Sequence, residues 1–154
     1  MKVYDAPSIR NLAVVGHGGC GKTTLLSALL FDMGAVNRLG RVDDGTTVTD
    51  FDPDEVKRKI SINIGVAHCD YRDHRFNFVD MPGYGDFIAE ARAGLRVVEG
   101  AVLVVDAVAG VEVQTEVAWE LAVEAGLPRA IMINKLDRER ASFERTLEQL
   151  VQSF

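Results

Sequence analysis

Residues 16–23 read Gly-His-Gly-Gly-Cys-Gly-Lys-Thr, the pattern G-x-x-x-x-G-K-[ST], and this stretch restricts the fold more than any other in the chain. An apolar run at residues 12–15 precedes it and helical apolar spacing over residues 25–33 follows, so the glycines lie between a buried strand and a helix. Such a loop turns its backbone N–H groups inward, and the helix amino end adds roughly half a positive charge. Polyphosphate is the ligand that environment suits. Lys22 would reach the outer phosphates as a point charge, and the Thr23 hydroxyl would take one position on Mg²⁺. A Gly-rich turn that only lets a helix pack close to a strand is the bland alternative, and the flanking elements weigh against it.

Read onward, the pattern is one of alternating strands and helices. Residues 9–15 predict a central strand, and Leu25, Leu26, Leu29, Leu30 and Met33 share one face of a helix that Gly34 ends. Residues 35–59 carry Gly40, Gly45, Asp-rich turns and Pro53, which predicts a loop too long to be a passive connector. Alternation of Ile60, Ile62, Ile64 and Val66 predicts a strand, and Phe76, Phe78 and Val79 an antiparallel partner after a turn at residues 72–74. Asp86 is expected to cap a helix running to Gly100. Residues 101–105 read as a second parallel central strand, Val113, Val117 and Leu121 as a helix, residues 130–133 as another buried strand, and Phe143, Leu147, Leu150 and Val151 as a last helix. Such α/β chains form a mostly parallel sheet with helices on both faces, and ligands bind beyond the carboxyl ends of its strands. Gly16, Asp80 and Asn134 each follow such an end, so three distant motifs should meet on one rim.

Composition narrows the class. The chain has 154 residues, 47% hydrophobic and 26% charged, which suits one soluble domain, and no window has the apolar length of a membrane span. Residues 1–7 lack the apolar core of a signal peptide, so a cytoplasmic protein is expected, with Cys20 and Cys69 as free thiols. A net charge of −6 argues against bulk DNA or RNA binding, leaving Lys57-Arg58-Lys59 as the only compact basic cluster.

Two further motifs carry chemistry. Asp80 opens D-x-x-G, a pattern met by chance about once in every two such chains, so its position gives it weight. At a strand end beside the phosphate loop its carboxylate can hold Mg²⁺ through a water, and the Gly83 N–H can meet a terminal phosphate. The alternative is an Asp that merely ends a strand and caps a turn. Asn134-Lys135-x-Asp137 is more specific: a carboxylate at Asp137 accepts from both N–H donors on the guanine edge, while Asn134 and the Lys135 stem can flank the ring. Its alternative is a polar strand-to-helix turn.

With these in place the sequence resembles the translational GTPases, and more closely the G domain of elongation factor G and its paralogues. The likeness rests on Gly16-His17-x-x-x-Gly21-Lys22-Thr23-Thr24, Arg58-x-Ile60-Ser61-Ile62, Asp80-x-Pro82-Gly83-x-x-Asp86-Phe87 and Asn134-Lys135-x-Asp137-Arg138. It implies a P-loop NTPase fold with a Ras-like G domain, a mostly parallel sheet carrying one antiparallel edge hairpin, and the family's last strand and helix missing from residues 1–154. It further implies switch I at about residues 35–61, switch II at about 80–98, GTP or GDP as ligand, Mg²⁺ as cofactor and the ribosome, through large-subunit rRNA, as partner. The nucleotide would meet Gly16, His17, Gly18, Gly19, Cys20, Gly21, Lys22, Thr23, Thr24, Asp80, Gly83, Asn134, Lys135 and Asp137; the metal would meet Thr23, Ser61 in the slot of the usual switch I Thr, and Asp80 through water.

This chain departs from that pattern at identifiable positions. Tyr84 holds the slot of the family's water-orienting His and, with Lys22, is the candidate catalytic residue. A phenol donates and accepts hydrogen bonds but lacks the imidazole's change of charge near neutral pH, so slow intrinsic hydrolysis is expected. Gly18 and Gly19 replace an apolar residue and an Asp, and Lys59 replaces a Gly. His17 and His74 are weaker candidates for a substitute base. Three functions stay open: a GTP/GDP switch with slow hydrolysis, a module that only senses GTP, and a P-loop kinase or ATPase with an accidental Asn134-Lys135-x-Asp137.

Overall fold

The computed structural model describes residues 2–154 and places strand β1 (Ile9–Val15) at the middle of a five-stranded sheet. The spatial order is β2 (Gly65–Tyr71), β3 (His74–Asp80), β1, β4 (Gly100–Asp106), β5 (Arg129–Asn134). β1 runs parallel to both β3 and β4, and β5 runs parallel to β4; only β2 is antiparallel, paired to β3 across a turn where Arg72 and Asp73 have φ of 46° and 63°. Two successive positive φ values match the twist that a tight hairpin needs.

Helix α1 (Lys22–Asp32) covers one face, burying Leu26 and Leu30 against Ala67, Cys69 and Phe78. The opposite face packs under α3 (Ile88–Gly94), α4 (Val113–Glu124) and α5 (Phe143–Ser153), with Val15, Met81, Leu95, Leu103, Val105, Leu121 and Leu150 in one cluster. Each fully buried Leu of this kind contributes about 1.5–3 kcal/mol, so both faces hold the sheet rigid beneath its rim. Register then sets the rim: Val14 pairs with Asp80, Val15 with Leu103 and Asp106 with Asn134, which brings the carboxyl ends of four parallel strands together.

Four expectations need correction. The alternating residues Ile60, Ile62 and Ile64 precede the strand, which begins at Gly65, because the Ile62 and Asn63 N–H groups donate to Glu55 Oε1 at 2.9 Å each instead of to a neighbouring strand. The long connector contains a helix, α2 (Pro53–Arg58), fastened by a capping box in which Asp52 accepts from the Asp54 N–H and Glu55 accepts from the Asp52 N–H. Asp86 does not cap α3; it sits in a 3-10 turn (Gly85–Phe87), α3 starts after Phe87 with no side-chain cap, and it ends at Gly94 in a 3-10 turn (Leu95–Val97) instead of running to Gly100. Finally β5 is not buried. It is the outer strand of the described sheet, with Ile131 40% and Met132 37% exposed. Cys20 and Cys69 are both buried and unbridged, as expected. No helix among the described residues is long and apolar enough to cross a membrane.

Candidate functional site

The loop between β1 and α1 closes on itself through its own lysine. Lys22 Nζ donates to Gly16 O at 3.0 Å and His17 O at 2.9 Å, and the side chain is buried at the start of α1. Gly21 is the helix N-cap in a left-handed conformation, and a β-carbon on it would lie 2.5 Å from Asn134 Nδ2. That contact reflects real proximity: Asn134 Nδ2 donates to Cys20 O at 3.0 Å, and Lys135 Nζ to Gly19 O at 2.5 Å. Two of the three distant motifs are therefore bonded directly. The third arrives from β3: Gly83 packs so close that a β-carbon would meet Gly16 O and Gly18 N at 2.7 Å each, as well as Lys22 Nζ. Only glycine permits that approach.

Lys22, Thr23, Thr24, Gly18, Gly19, Gly21, Gly83 and Tyr84 line an open cleft of about 150 Å³, and Asp50, Ile60 and Ser61 of the long connector line it with them. His17 turns away, its Nε2 lying 3.5 Å from Glu112 Oε1. Cys20 points into the core, and burial pushes its thiol above the ordinary value. His74 lies in the β2–β3 hairpin, outside the cleft. Asp137 stands exposed in the turn that follows β5.

Around Thr23 the side-chain ligand atoms are hard oxygens. The Thr23 and Ser61 hydroxyls lie 3.1 Å apart. Asp80 is 1% exposed; Oδ2 accepts from the Thr49 hydroxyl at 2.9 Å, whereas Oδ1 is buried without a partner. Burial pushes this carboxyl up to about 6, with Thr23, Thr49 and Lys22 pulling the other way. Asp50 is also buried and raised by desolvation, relieved mainly by the Ser61 hydroxyl. An unpartnered carboxylate oxygen beside two hydroxyls is what Mg²⁺ binds, since that ion takes one or two protein oxygens and completes its shell with water and phosphate. Among the described residues no three His, Cys, Asp or Glu side chains cluster tightly enough to hold a metal by themselves.

Four residues in this arrangement escaped the reading of the sequence. Thr49 and Asp50 come from the long connector, whose lack of periodicity gave no register. Glu55 was marked by the run Asp52-Pro53-Asp54-Glu55, a capping signature. Asp106 ends a parallel strand next to Asn134, and the strand-end rule alone would have flagged it; it accepts from Lys135 Nζ at 2.6 Å.

The family model that describes the elongation factor Tu GTP binding domain matches residues 7–154. The mitochondrial ribosome-releasing factor 2 of Candida dubliniensis is 41% identical over 147 residues, covering 96% of this chain and 18% of that protein. Elongation factor G 2 of Streptomyces coelicolor is 42% identical over 150 residues, covering 97% of this chain and 22% of its own length. A crystal structure of a Thermus thermophilus protein superposes with a TM-score of 0.91 at 44% identity, over 95% of this chain and 22% of that one. A bacterial selenocysteine-specific elongation factor gives a TM-score of 0.72 at 30% identity, over 93% and 23%. The chain thus spans about a fifth of the length of the curated relatives it matches.

Proposed function

Because the chain belongs to the elongation factor Tu GTP binding domain family, we propose that it binds GTP and GDP as the nucleotide domain of an elongation factor G-type translation factor, and hydrolyses GTP slowly. The observation that carries this reading is the bonding of Asn134 and Lys135 to the Cys20 and Gly19 carbonyls, which makes the base-reading turn and the phosphate loop one unit.

In this reading the loop N–H groups of residues 16–23 and Lys22 hold the phosphates, and Asn134, Lys135 and Asp137 select guanine. Thr23, Ser61 and, through a water, Asp80 would hold Mg²⁺, which would supply neutralisation of phosphate charge. Residues 35–61 act as switch I and residues 80–98 as switch II. Contact between the Thr23 and Ser61 hydroxyls and between Thr49 and Asp80 couples the first switch to the phosphate loop and to the second. Tyr84, in the cleft wall, orients the attacking water by hydrogen bonding without taking up its proton, which is why hydrolysis is slow. The partner is the ribosome, contacted through large-subunit rRNA, in the cytoplasm or mitochondrial matrix.

Single-turnover release of γ-phosphate from GTP, with and without ribosomes, tests the proposal. Slow release that ribosomes accelerate supports it; no release under either condition leaves a sensing module in its place, a reading the family does not favour.

A further inference from the structure

Gly18 is a glycine for a different reason from its neighbours. Gly16, Gly19 and Gly21 have φ of 138°, 77° and 99°, while Gly18 is absent from the positive-φ region, so its backbone would accept other residues. What excludes them is Tyr84. A β-carbon at residue 18 would lie 2.6 Å from Cζ and 2.8 Å from both Cε1 and Cε2 of that ring. Nearly equal distances to three ring atoms place the position over the face of the phenol, not beyond its edge. Gly18 therefore presents a Cα–H to the π face, and the ring occupies the room a side chain at residue 18 would take. Gly83, one residue before, is wedged against Gly16, Gly18 and Lys22, which fixes where the ring starts. The wall it joins includes Lys22 and Ser61 but neither Asn134 nor Lys135, so the ring sits at the phosphate end, away from the base-reading turn.

We propose that the Tyr84 ring, seated on Gly18, is an aromatic cover over the terminal-phosphate end of the cleft and that it retains a nucleoside triphosphate more strongly than a diphosphate. The proposal rests on the nucleotide reading above. A ring in that place separates the last phosphate from bulk solvent, leaving the Tyr84 hydroxyl to hold the single attacking water, and lowers the local dielectric around Lys22, which strengthens the ammonium's hold on charge. A diphosphate, one phosphate shorter, gains less from it.

Release of fluorescent GDP and of a fluorescent non-hydrolysable GTP analogue, measured with Mg²⁺ for the wild type, Gly18→Ala, Tyr84→Leu and the double variant, tests the cover. Each single substitution should speed release of the triphosphate by about 3- to 10-fold, and by more than it speeds release of GDP. The double variant should be no faster than the faster single one, since both remove the same contact. Unchanged or slower triphosphate release in Tyr84→Leu, or multiplying effects in the double variant, overturns the proposal. A nucleotide-free measurement separates its failure from that of the nucleotide reading: the Gly18 Hα resonance should lie upfield, persist in Tyr84→Phe and return to an ordinary position in Tyr84→Leu. An unshifted Gly18 Hα in the wild type overturns the cover even if nucleotide binds; a shifted one in a chain that binds neither nucleotide overturns the nucleotide reading and leaves the pairing intact.

Discussion

Lys135 Nζ donates to Asp106 Oδ2 at 2.6 Å, and this bond ties the turn after β5 to the end of β4 while the same ammonium reaches Gly19 in the phosphate loop. Lys135 holds a φ of 61°, a left-handed conformation that costs an ordinary residue about 1–2 kcal/mol and is held by these two bonds. Burial draws the Asp106 carboxyl upward, but the Lys135 ammonium and the Val108 N–H outweigh it, leaving the group below its ordinary value.

Lys135→Ala should therefore lower stability by about 1–3 kcal/mol in urea denaturation. A depressed carboxyl stabilises fully above its unfolded value of 3.8 and loses that contribution as the pH falls through the folded value. The gap between wild type and variant should accordingly be full at pH 7 and shrink below about pH 4. A gap independent of pH would mean that the ammonium acts through Gly19 alone.

Asp80 works in the opposite direction. Its carboxyl is raised to about 6 from 3.8, so the folded protein binds the proton more tightly than the unfolded chain does between those values. Without nucleotide or metal, stability should fall as the pH rises from about 4 to about 6, with the full penalty above. Asp80→Asn keeps an acceptor for Thr49 and removes the buried charge, so it should be more stable than wild type by about 1–3 kcal/mol at pH 7.5 and equal to it near pH 4. Thermal melts at the two pH values check this. The same variant should lose the Mg²⁺-dependent part of nucleotide affinity.

Glu55 carries the segment that presents Ser61. Its two carboxylate oxygens accept from the N–H groups of Asp52, Ile62 and Asn63 at 3.2, 2.9 and 2.9 Å, and the side chain is 2% exposed. Hydrogen bonds to a charged acceptor are worth about 1.5–3 kcal/mol each, so Glu55→Ala should release residues 60–63. Hydrogen exchange at the Ile62 and Asn63 amides should rise at least about tenfold, with β1 and β4 unaffected. Equal acceleration across the sheet would show a global effect instead.

How much of this was legible beforehand depended on whether a residue's neighbours were local in sequence. The apolar runs of β1 and β4 and the loop between β1 and α1 were readable because a buried parallel strand leaves few other patterns. Convergence of Gly16, Asp80 and Asn134 followed from one rule about strand ends and agrees with the register of Val14 with Asp80 and Asp106 with Asn134. The alternation at residues 60–64 misled, since a side chain seven residues back, Glu55, captured the N–H groups a strand would have used. β5 reads as apolar yet lies exposed, because it is the outer strand of the described sheet and an apolar run does not report a strand's place in the spatial order. The Tyr84–Gly18 packing was out of reach: both residues stood out as departures, but nothing local joins positions 66 residues apart.

Guanine selection by Asp137 is the claim on which the functional account turns, and it is measured by displacing a fluorescent GDP from the protein with unlabelled GDP, ADP or xanthosine diphosphate. A carboxylate that accepts two N–H donors distinguishes bases by several kcal/mol, so ADP should need at least about a hundredfold higher concentration than GDP, and Asp137→Asn should shift preference toward xanthosine diphosphate. Equal displacement by ADP and GDP, with no change in Asp137→Asn, would contradict the account.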